Sequence, residues 1–140
     1  YFLLTVKEFF SYQPQAISLD IDGDRFERSP FLLTVANTKQ YGNGVIIAPQ
    51  ARPDDELLDV CVMKPTNMFS ALYYAPKLFT GKIDRTPVVE HRKAQSIEIY
   101  KTGELQFHID GEARTCESPL RLSVKPKALR LIVPMSHVFR

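Results

Sequence analysis

The clearest evidence on architecture is the stretch AQSIEIYKTGELQFHI, residues 94–109. Apolar residues alternate with polar ones, as at Ile97 and Ile99 before the Gly103 turn and at Leu105 and Phe107 after it. A period of two places every second side chain on the same face, which is typical of a half-buried β-strand. The stretch therefore predicts two short strands at hairpin-like spacing.

Short apolar runs of the same kind recur along the chain. They lie at residues 16–21, 31–36, 45–47, 57–63, 120–124 and 129–133, and Asp22-Gly23-Asp24 is the turn signal after the first of them. About eight or nine short strands with turn residues between them indicate a mainly β fold. We predict an antiparallel β-sandwich or barrel with one or two covering helices.

Two segments have helical spacing of apolar residues, residues 1–12 and residues 68–79. Thr66 or Asn67 is the expected N-cap of the second helix. Pro76 lies inside that helix and should kink or shorten it, because proline lacks the N–H and clashes with the preceding turn.

Length and composition exclude several classes of protein. The chain has 140 residues, 18 basic against 16 acidic side chains and a net charge of +2, which is too small for a dedicated nucleic-acid binder. It contains no apolar run long enough for a transmembrane helix. Two cysteines cannot form a disulfide framework, so free thiols and a cytoplasmic location are expected. Residues 1–140 are interpreted as a single domain.

The segment Phe107-His108-Ile109-Asp110-Gly111-Glu112 carries two acids at a glycine turn. The turn allows both carboxylates to point into one cleft, where a carboxylate could accept a hydroxyl proton or hold a metal ion. A plain hairpin turn is the alternative interpretation, because Asp-Gly is a common hairpin signal.

Two further segments are candidates for binding. Four acids lie in the run 54–59, where carboxylate oxygens could hold a hard divalent cation, although a solvated acidic turn is the simpler explanation. Tyr41-Gly42-Asn43-Gly44 is a flexible turn that is a weak candidate for a phosphate loop, and a hairpin turn is its simpler explanation.

The order of these segments resembles the C-terminal domain of the bacterial diacylglycerol kinase-like lipid kinases, the superfamily that includes sphingosine and ceramide kinases. The matching stretches are Ala36-Asn37, Tyr41-Gly42-Asn43-Gly44, Ile47-Ala48-Pro49, Asp54-Asp55-Glu56-Leu57-Leu58-Asp59-Val60, Pro76-Lys77-Leu78-Phe79-Thr80-Gly81, Ile109-Asp110-Gly111-Glu112, Pro119-Leu120 and residues 128–134. The resemblance covers nearly the whole chain. No single motif is decisive, and the specificity comes from the order in which all of these motifs occur.

The resemblance implies a function for the domain. In that family an N-terminal nucleotide-binding domain with a Gly-Gly-Asp-Gly-Thr motif comes first, and that motif is absent from these 140 residues. The second domain, a β-sandwich, supplies the lipid cleft. By resemblance, Glu112 or Asp110 is the general base that takes a lipid hydroxyl proton as the oxygen attacks the γ-phosphorus of ATP. The isolated chain is expected to be inactive.

The resemblance also implies a structural Mg²⁺ at the acidic loop. Asp55 would give its carboxylate, and Arg52 and Leu57 would offer main-chain carbonyls. Glu56 stands where the family usually has glycine, so this loop departs from the family pattern at that position. If that position requires a positive φ, the glutamate costs about 1 kcal/mol.

The expected partners are a lipid substrate and ATP, with peripheral contact at the inner membrane face, no nucleic acid and a possible homodimer. The main alternative is a non-catalytic β-sandwich module that binds a lipid or a protein. A weaker alternative is a relative that acts on another substrate, such as an inorganic-polyphosphate-dependent or nicotinamide-dinucleotide kinase. An upstream nucleotide motif would discriminate a kinase from a binding module.

Overall fold

A computed structural model describes residues 13–130 of the chain. The fold is mainly β within that range, as predicted. The strands are β1 (Ile17–Ile21), β2 (Asp24–Arg28), β3 (Leu32–Ala36), β4 (Gln40–Gly42), β5 (Val45–Ile46), β6 (Leu58–Met63), β7 (Val89–Ala94), β8 (Ser96–Tyr100), β9 (Leu105–Ile109), β10 (Glu112–Cys116) and β11 (Leu120–Ser123). Helix α1 (Met68–Phe79) and a 3₁₀ turn (Ile83–Arg85) follow β6.

The strands form two main sheets and two hairpins. One sheet has the order β11-β8-β1-β2, the other has the order β3-β6-β7, and β4-β5 and β9-β10 pair as separate hairpins. Every pairing is antiparallel. Asp22, at a φ of 50°, and Gly23, at 90°, make the predicted turn between β1 and β2.

The two main sheets pack face to face. Leu19 and Ile97 from one sheet and Val60 and Val62 from the other belong to a single buried cluster. This arrangement confirms the predicted sandwich, because each sheet contributes every second side chain to a shared core.

Strand β6 is buried on both faces. Val60 and Val62 point into the sandwich, whereas the alternate residue Cys61 packs in a second cluster with Ile47 and Ile83. Burial, followed by the nearby charges of Asp59 and Asp84, raises the pKa of the Cys61 thiol to about 12, so the thiol stays protonated. A third layer of helix, loop and 3₁₀ turn therefore covers the outer face of the β3-β6-β7 sheet.

Helix α1 begins where the sequence indicated. Asn67 caps it by accepting a hydrogen bond from the backbone N–H of Ser70 at 2.9 Å. Of the two effects expected of Pro76, a kink or a shorter helix, the shortening does not occur, since α1 continues to Phe79. The helix predicted over residues 1–12 lies outside the described residues.

Strand β7 was not predicted. Its sequence, Val-Glu-His-Arg-Lys-Ala, is mostly polar, and its apolar ends Val89 and Ala94 lie on opposite faces. Conversely, the strand predicted at residues 129–133 is not formed at residues 129–130. Its remainder lies outside the described part of the chain.

Candidate functional site

The hairpin β9-β10 ends in a two-residue turn made by Asp110 and Gly111. Ile109 and Glu112 are directly paired across it. Asp110 has a φ of 49° and Gly111 a φ of 90°. A type I′ turn requires positive φ at both central residues, and Asp-Gly is a preferred pair for it. The hairpin expected at this sequence is therefore present, and it brings both acids to one end of the β-structure.

The two acids differ in their contacts. Glu112 forms an ion pair with Arg114, two residues along the same strand, at 2.5 Å, and its side chain is 72% exposed. The side chain of Asp110 makes no hydrogen bond or ion pair with any residue in the range 13–130. Residues directly opposite in an antiparallel pair share a face, so Glu112 lies beside the exposed Ile109.

Both carboxylates face solvent in this domain. Asp110 and Glu112 are exposed, and a shallow depression of about 250 Å³ lies on the same hairpin. It is lined by Gln106, Phe107, Ala113, Arg114 and Thr115. The described residues therefore do not enclose the two acids in the expected cleft, and a cleft around them requires a further surface.

A second turn is joined to this hairpin through its side chains. Asn43, at a φ of 45°, and Gly44, at 77°, form the β4-β5 turn, as the hairpin interpretation of that segment predicted. Tyr41, next to this turn, shares a hydrogen bond of 2.6 Å with Nε2 of His108. Sequence analysis noted the Tyr41 turn and His108 separately, and nothing in their spacing of 67 residues linked them.

The acidic loop, residues 52–59, is held by a lysine. Nζ of Lys93 lies 2.5 Å from Oδ2 of Asp55, 3.3 Å from the carbonyl of Gln50 and 3.6 Å from Oδ2 of Asp59. Partial burial alone would raise the pKa of Asp55, but Lys93, the Leu57 amide and Arg52 together hold it below its ordinary value. Burial opposes the charge of Lys93, yet the two aspartates hold its pKa above its ordinary value.

Asp59 is the most buried acid of this group, with a relative exposure of 0%. Its Oδ1 accepts a hydrogen bond from Nε2 of His91 at 2.6 Å, and its Oδ2 has no hydrogen bond. Asp59 is directly opposite Lys93 in the β6–β7 register, so the two side chains share a face of the sheet. Sequence analysis missed Lys93 and His91, because their strand was not recognised.

The carboxylate expected to hold Mg²⁺, that of Asp55, is engaged in other contacts. Both oxygens of Asp55 are used, because Oδ1 accepts the Leu57 amide at 3.1 Å and Oδ2 binds Lys93. The Arg52 guanidinium binds Asp54 at 3.2 Å. Within residues 13–130, His, Cys, Asp and Glu side chains form no group of three that could hold a metal ion. The one carboxylate of the expected set is thus already paired with Lys93. These contacts do not bear on the main-chain carbonyls of Arg52 and Leu57, and the set Arg52, Asp55 and Leu57 stays a prediction.

Glu56, the residue that departs from the resembled pattern, has a φ of 60°. This is the left-handed region that favours glycine, because a Cβ there approaches the following carbonyl oxygen. The free-energy cost of about 1 kcal/mol that is expected for a glutamate at positive φ therefore applies to Glu56.

Known proteins resemble this chain over most of its length. The family model described as "YegS C-terminal NAD kinase beta sandwich-like domain" matches residues 1–133. The chain belongs to this family. The YegS-type domain is similar to a diacylglycerol kinase of Mycobacterium tuberculosis, with 26% identity over 96% of this chain and 43% of that protein. The names of this chain's homologues thus describe lipid kinases.

A further relative and a solved structure match the same domain. A protein of Pseudomonas aeruginosa described as "Probable lipid kinase YegS-like" is 33% identical over 73% of this chain and 33% of its own length. A solved structure of a diacylglycerol kinase from Bacillus anthracis has the same fold, with a TM-score of 0.56 and 24% identity over 84% of this chain and 40% of that chain. The YegS-type domain therefore spans less than half the length of these relatives.

In the described part of the YegS-type domain, no helix has the length and apolar character that crossing a bilayer requires.

Proposed function

We propose that this domain is the acceptor-substrate half of a lipid kinase. The reaction transfers the γ-phosphoryl group of Mg²⁺-bound ATP to a lipid hydroxyl such as that of diacylglycerol. Its main support is the type I′ turn, which presents Asp110 and Glu112 together at an exposed end of the sandwich in a family whose relatives are named lipid kinases. ATP is held mainly by the remainder of the protein.

The proposed chemistry needs one carboxylate as a general base. As the lipid oxygen bonds to the γ-phosphorus and ADP leaves, the hydroxyl proton passes to Asp110 or Glu112. A general base contributes about 10²–10⁴-fold, and the loose phosphoryl transition state leaves most of the acceleration to positioning and charge neutralisation. Asp110 is free to accept a proton, whereas Glu112 is oriented by Arg114.

Exposed apolar groups beside the acids suit a lipid substrate. Ile109, paired with Glu112, is 57% exposed, and Tyr41 is 47% exposed. Burying such groups against an acyl glycerol is favourable in proportion to the apolar area removed from water. We place the reaction at the cytoplasmic face of the membrane, where the domain contacts the bilayer peripherally.

A lipid-panel phosphorylation assay on the full-length protein tests this function. We expect Asp110→Asn or Glu112→Gln to lower kcat about 100-fold or more while the thermal midpoint stays unchanged. Glu117→Gln is the matched control, since Glu117 is an exposed acid without a side-chain contact in the described residues. Near-normal turnover in both hairpin variants would rule out the base assignment.

A non-catalytic binding module is the second candidate. It is favoured by the exposed apolar face of α1, where Phe69 is 86% and Tyr73 is 70% exposed. The same assay separates the two functions, because a binding module would retain lipid affinity and show no ATP-dependent phosphorylation with any lipid of the panel.

A further inference from the structure

We propose that the ε-ammonium group of Lys93 takes the place of a divalent cation at the acidic loop. The positive charge that neutralises this loop is then supplied by the chain, and the loop is ordered without Mg²⁺. The inference concerns the loop alone and does not rest on the proposed lipid kinase function.

The oxygen atoms around Lys93 are of the kind that a hard cation selects. Carboxylate oxygens of Asp55 and Asp59 and the main-chain carbonyl of Gln50 lie 2.5, 3.6 and 3.3 Å from Nζ. Carboxylates and backbone carbonyls are ligands of Mg²⁺ in proteins. An ammonium has three N–H donors and no acceptor, and that of Lys93 donates to Asp55 and to the Gln50 carbonyl while it lies at ion-pair distance from Asp59.

Burial explains why a cation is needed at this point. Asp59 is fully buried, and a buried carboxylate requires a positive partner or full hydrogen bonding. His91 serves Oδ1, while Oδ2 has no hydrogen bond and faces Lys93. Lys93 is therefore the charged group that compensates this second oxygen.

The position of Lys93 is set by a strand rather than by a mobile loop. The β6–β7 register places Lys93 opposite Asp59, and Ala94 beside it is fully buried. A divalent ion approaching Asp55 would meet this ammonium at short range and be repelled. The Arg52 guanidinium on neighbouring Asp54 adds a further positive charge.

The test uses the full-length protein without nucleotide. Calorimetric Mg²⁺ titrations compare the unaltered protein with Asp55→Asn, and thermal unfolding in Mg²⁺ or EDTA, at matched ionic strength, compares Lys93→Met with Lys93→Arg. Lys39→Met is the control for loss of an exposed lysine without a side-chain contact in the described residues.

We expect equal Mg²⁺ stoichiometry in the unaltered protein and Asp55→Asn. We also expect the midpoint of Lys93→Met to fall by about 5 °C or more, and Mg²⁺ to restore part of that loss. Lys93→Arg and Lys39→Met should stay near the unaltered midpoint.

Three results would overturn the inference. One is an additional Mg²⁺ bound by the unaltered protein and lost in Asp55→Asn, which stays measurable even if Lys93→Met fails to fold. Another is an unchanged midpoint in Lys93→Met. The last is a destabilised Lys93→Met that Mg²⁺ does not stabilise, because Lys93 would then be an ordinary ion-pair partner.

Discussion

The Tyr41 hydroxyl lies 2.6 Å from Nε2 of His108, and the two rings meet edge to face with centroids 5.7 Å apart. This contact joins the β4-β5 turn to the strand that leads into Asp110 and Glu112. The β9-β10 hairpin pairs with neither main sheet, so a side-chain contact of this kind restrains the direction in which its acids point.

Tyr41→Phe tests this restraint by removing only the hydroxyl. Because Tyr41 is half-exposed, we expect a small loss of stability, about 0.5 kcal/mol, and faster amide hydrogen exchange in the β9-β10 hairpin. Tyr73→Phe is the matched control, since Tyr73 is exposed and its hydroxyl makes no hydrogen bond in the described residues. Unchanged exchange in Tyr41→Phe would show that the hydrogen bond does not hold the hairpin.

Glu56→Gly should stabilise the domain, because Glu56 has a φ of 60°. Removing the Cβ at this left-handed φ is expected to raise the free energy of unfolding by about 1 kcal/mol. Part of this gain is lost, because glycine increases the conformational entropy of the unfolded chain. Urea denaturation measures the change. Glu56→Val should be destabilising, since a β-branched residue is least tolerated at positive φ. Equal free energies of unfolding for Glu56→Gly and Glu56→Val would show that the backbone at residue 56 is not strained.

Asp59→Ala should be strongly destabilising. The substitution removes a fully buried carboxylate, leaves His91 without its partner and leaves Lys93 with Asp55 as its remaining carboxylate, a change that costs about 3 kcal/mol. Asp59→Asn should lose less, because its amide oxygen can still accept the hydrogen bond from His91. Equilibrium unfolding in urea measures both, and a loss below about 1 kcal/mol for Asp59→Ala would exclude this role for the carboxylate.

Ionisation of Asp22 should contribute to the pH dependence of the domain's stability. Its carboxylate accepts hydrogen bonds from the backbone N–H of Ser96 at 2.8 Å and of Gln95 at 3.1 Å. The Ser96 amide is the largest influence, and these bonds outweigh partial burial to hold the pKa of Asp22 below its ordinary value. The folded state therefore favours the ionised form. The stability that ionised Asp22 contributes is complete well above its unfolded pKa of about 3.9. This stability is lost as the pH falls through the lower folded pKa.

Asp22→Asn measures this contribution, because asparagine keeps the side-chain shape and tolerates positive φ. We expect the variant to be less stable than the unaltered protein near neutral pH. The difference should shrink below about pH 4, as urea midpoints across a pH series would show. Glu117→Gln is the control, and a deficit that persists unchanged in acid would refute the charge effect.

The sequence alone determined the strands that obey a simple pattern. Alternation at Ile97 and Ile99 identified β8, Asp110-Gly111 identified a hairpin turn, and the capping residues Thr66 and Asn67 located the start of α1 to within one residue. These features follow from local physical chemistry: the two-residue period of a strand, positive φ at a turn and an orphan N–H at a helix end.

Tertiary structure decided the contacts that give the two candidate sites their character. Lys93 meets Asp59 only through the register of β6 and β7, and Tyr41 meets His108 only because two hairpins pack together. Strand β7 escaped prediction because charged side chains occupy its middle, and their charges are compensated by partners distant in sequence. Local patterns report propensity and periodicity, whereas the pairing of distant charges depends on register, which a single sequence does not display.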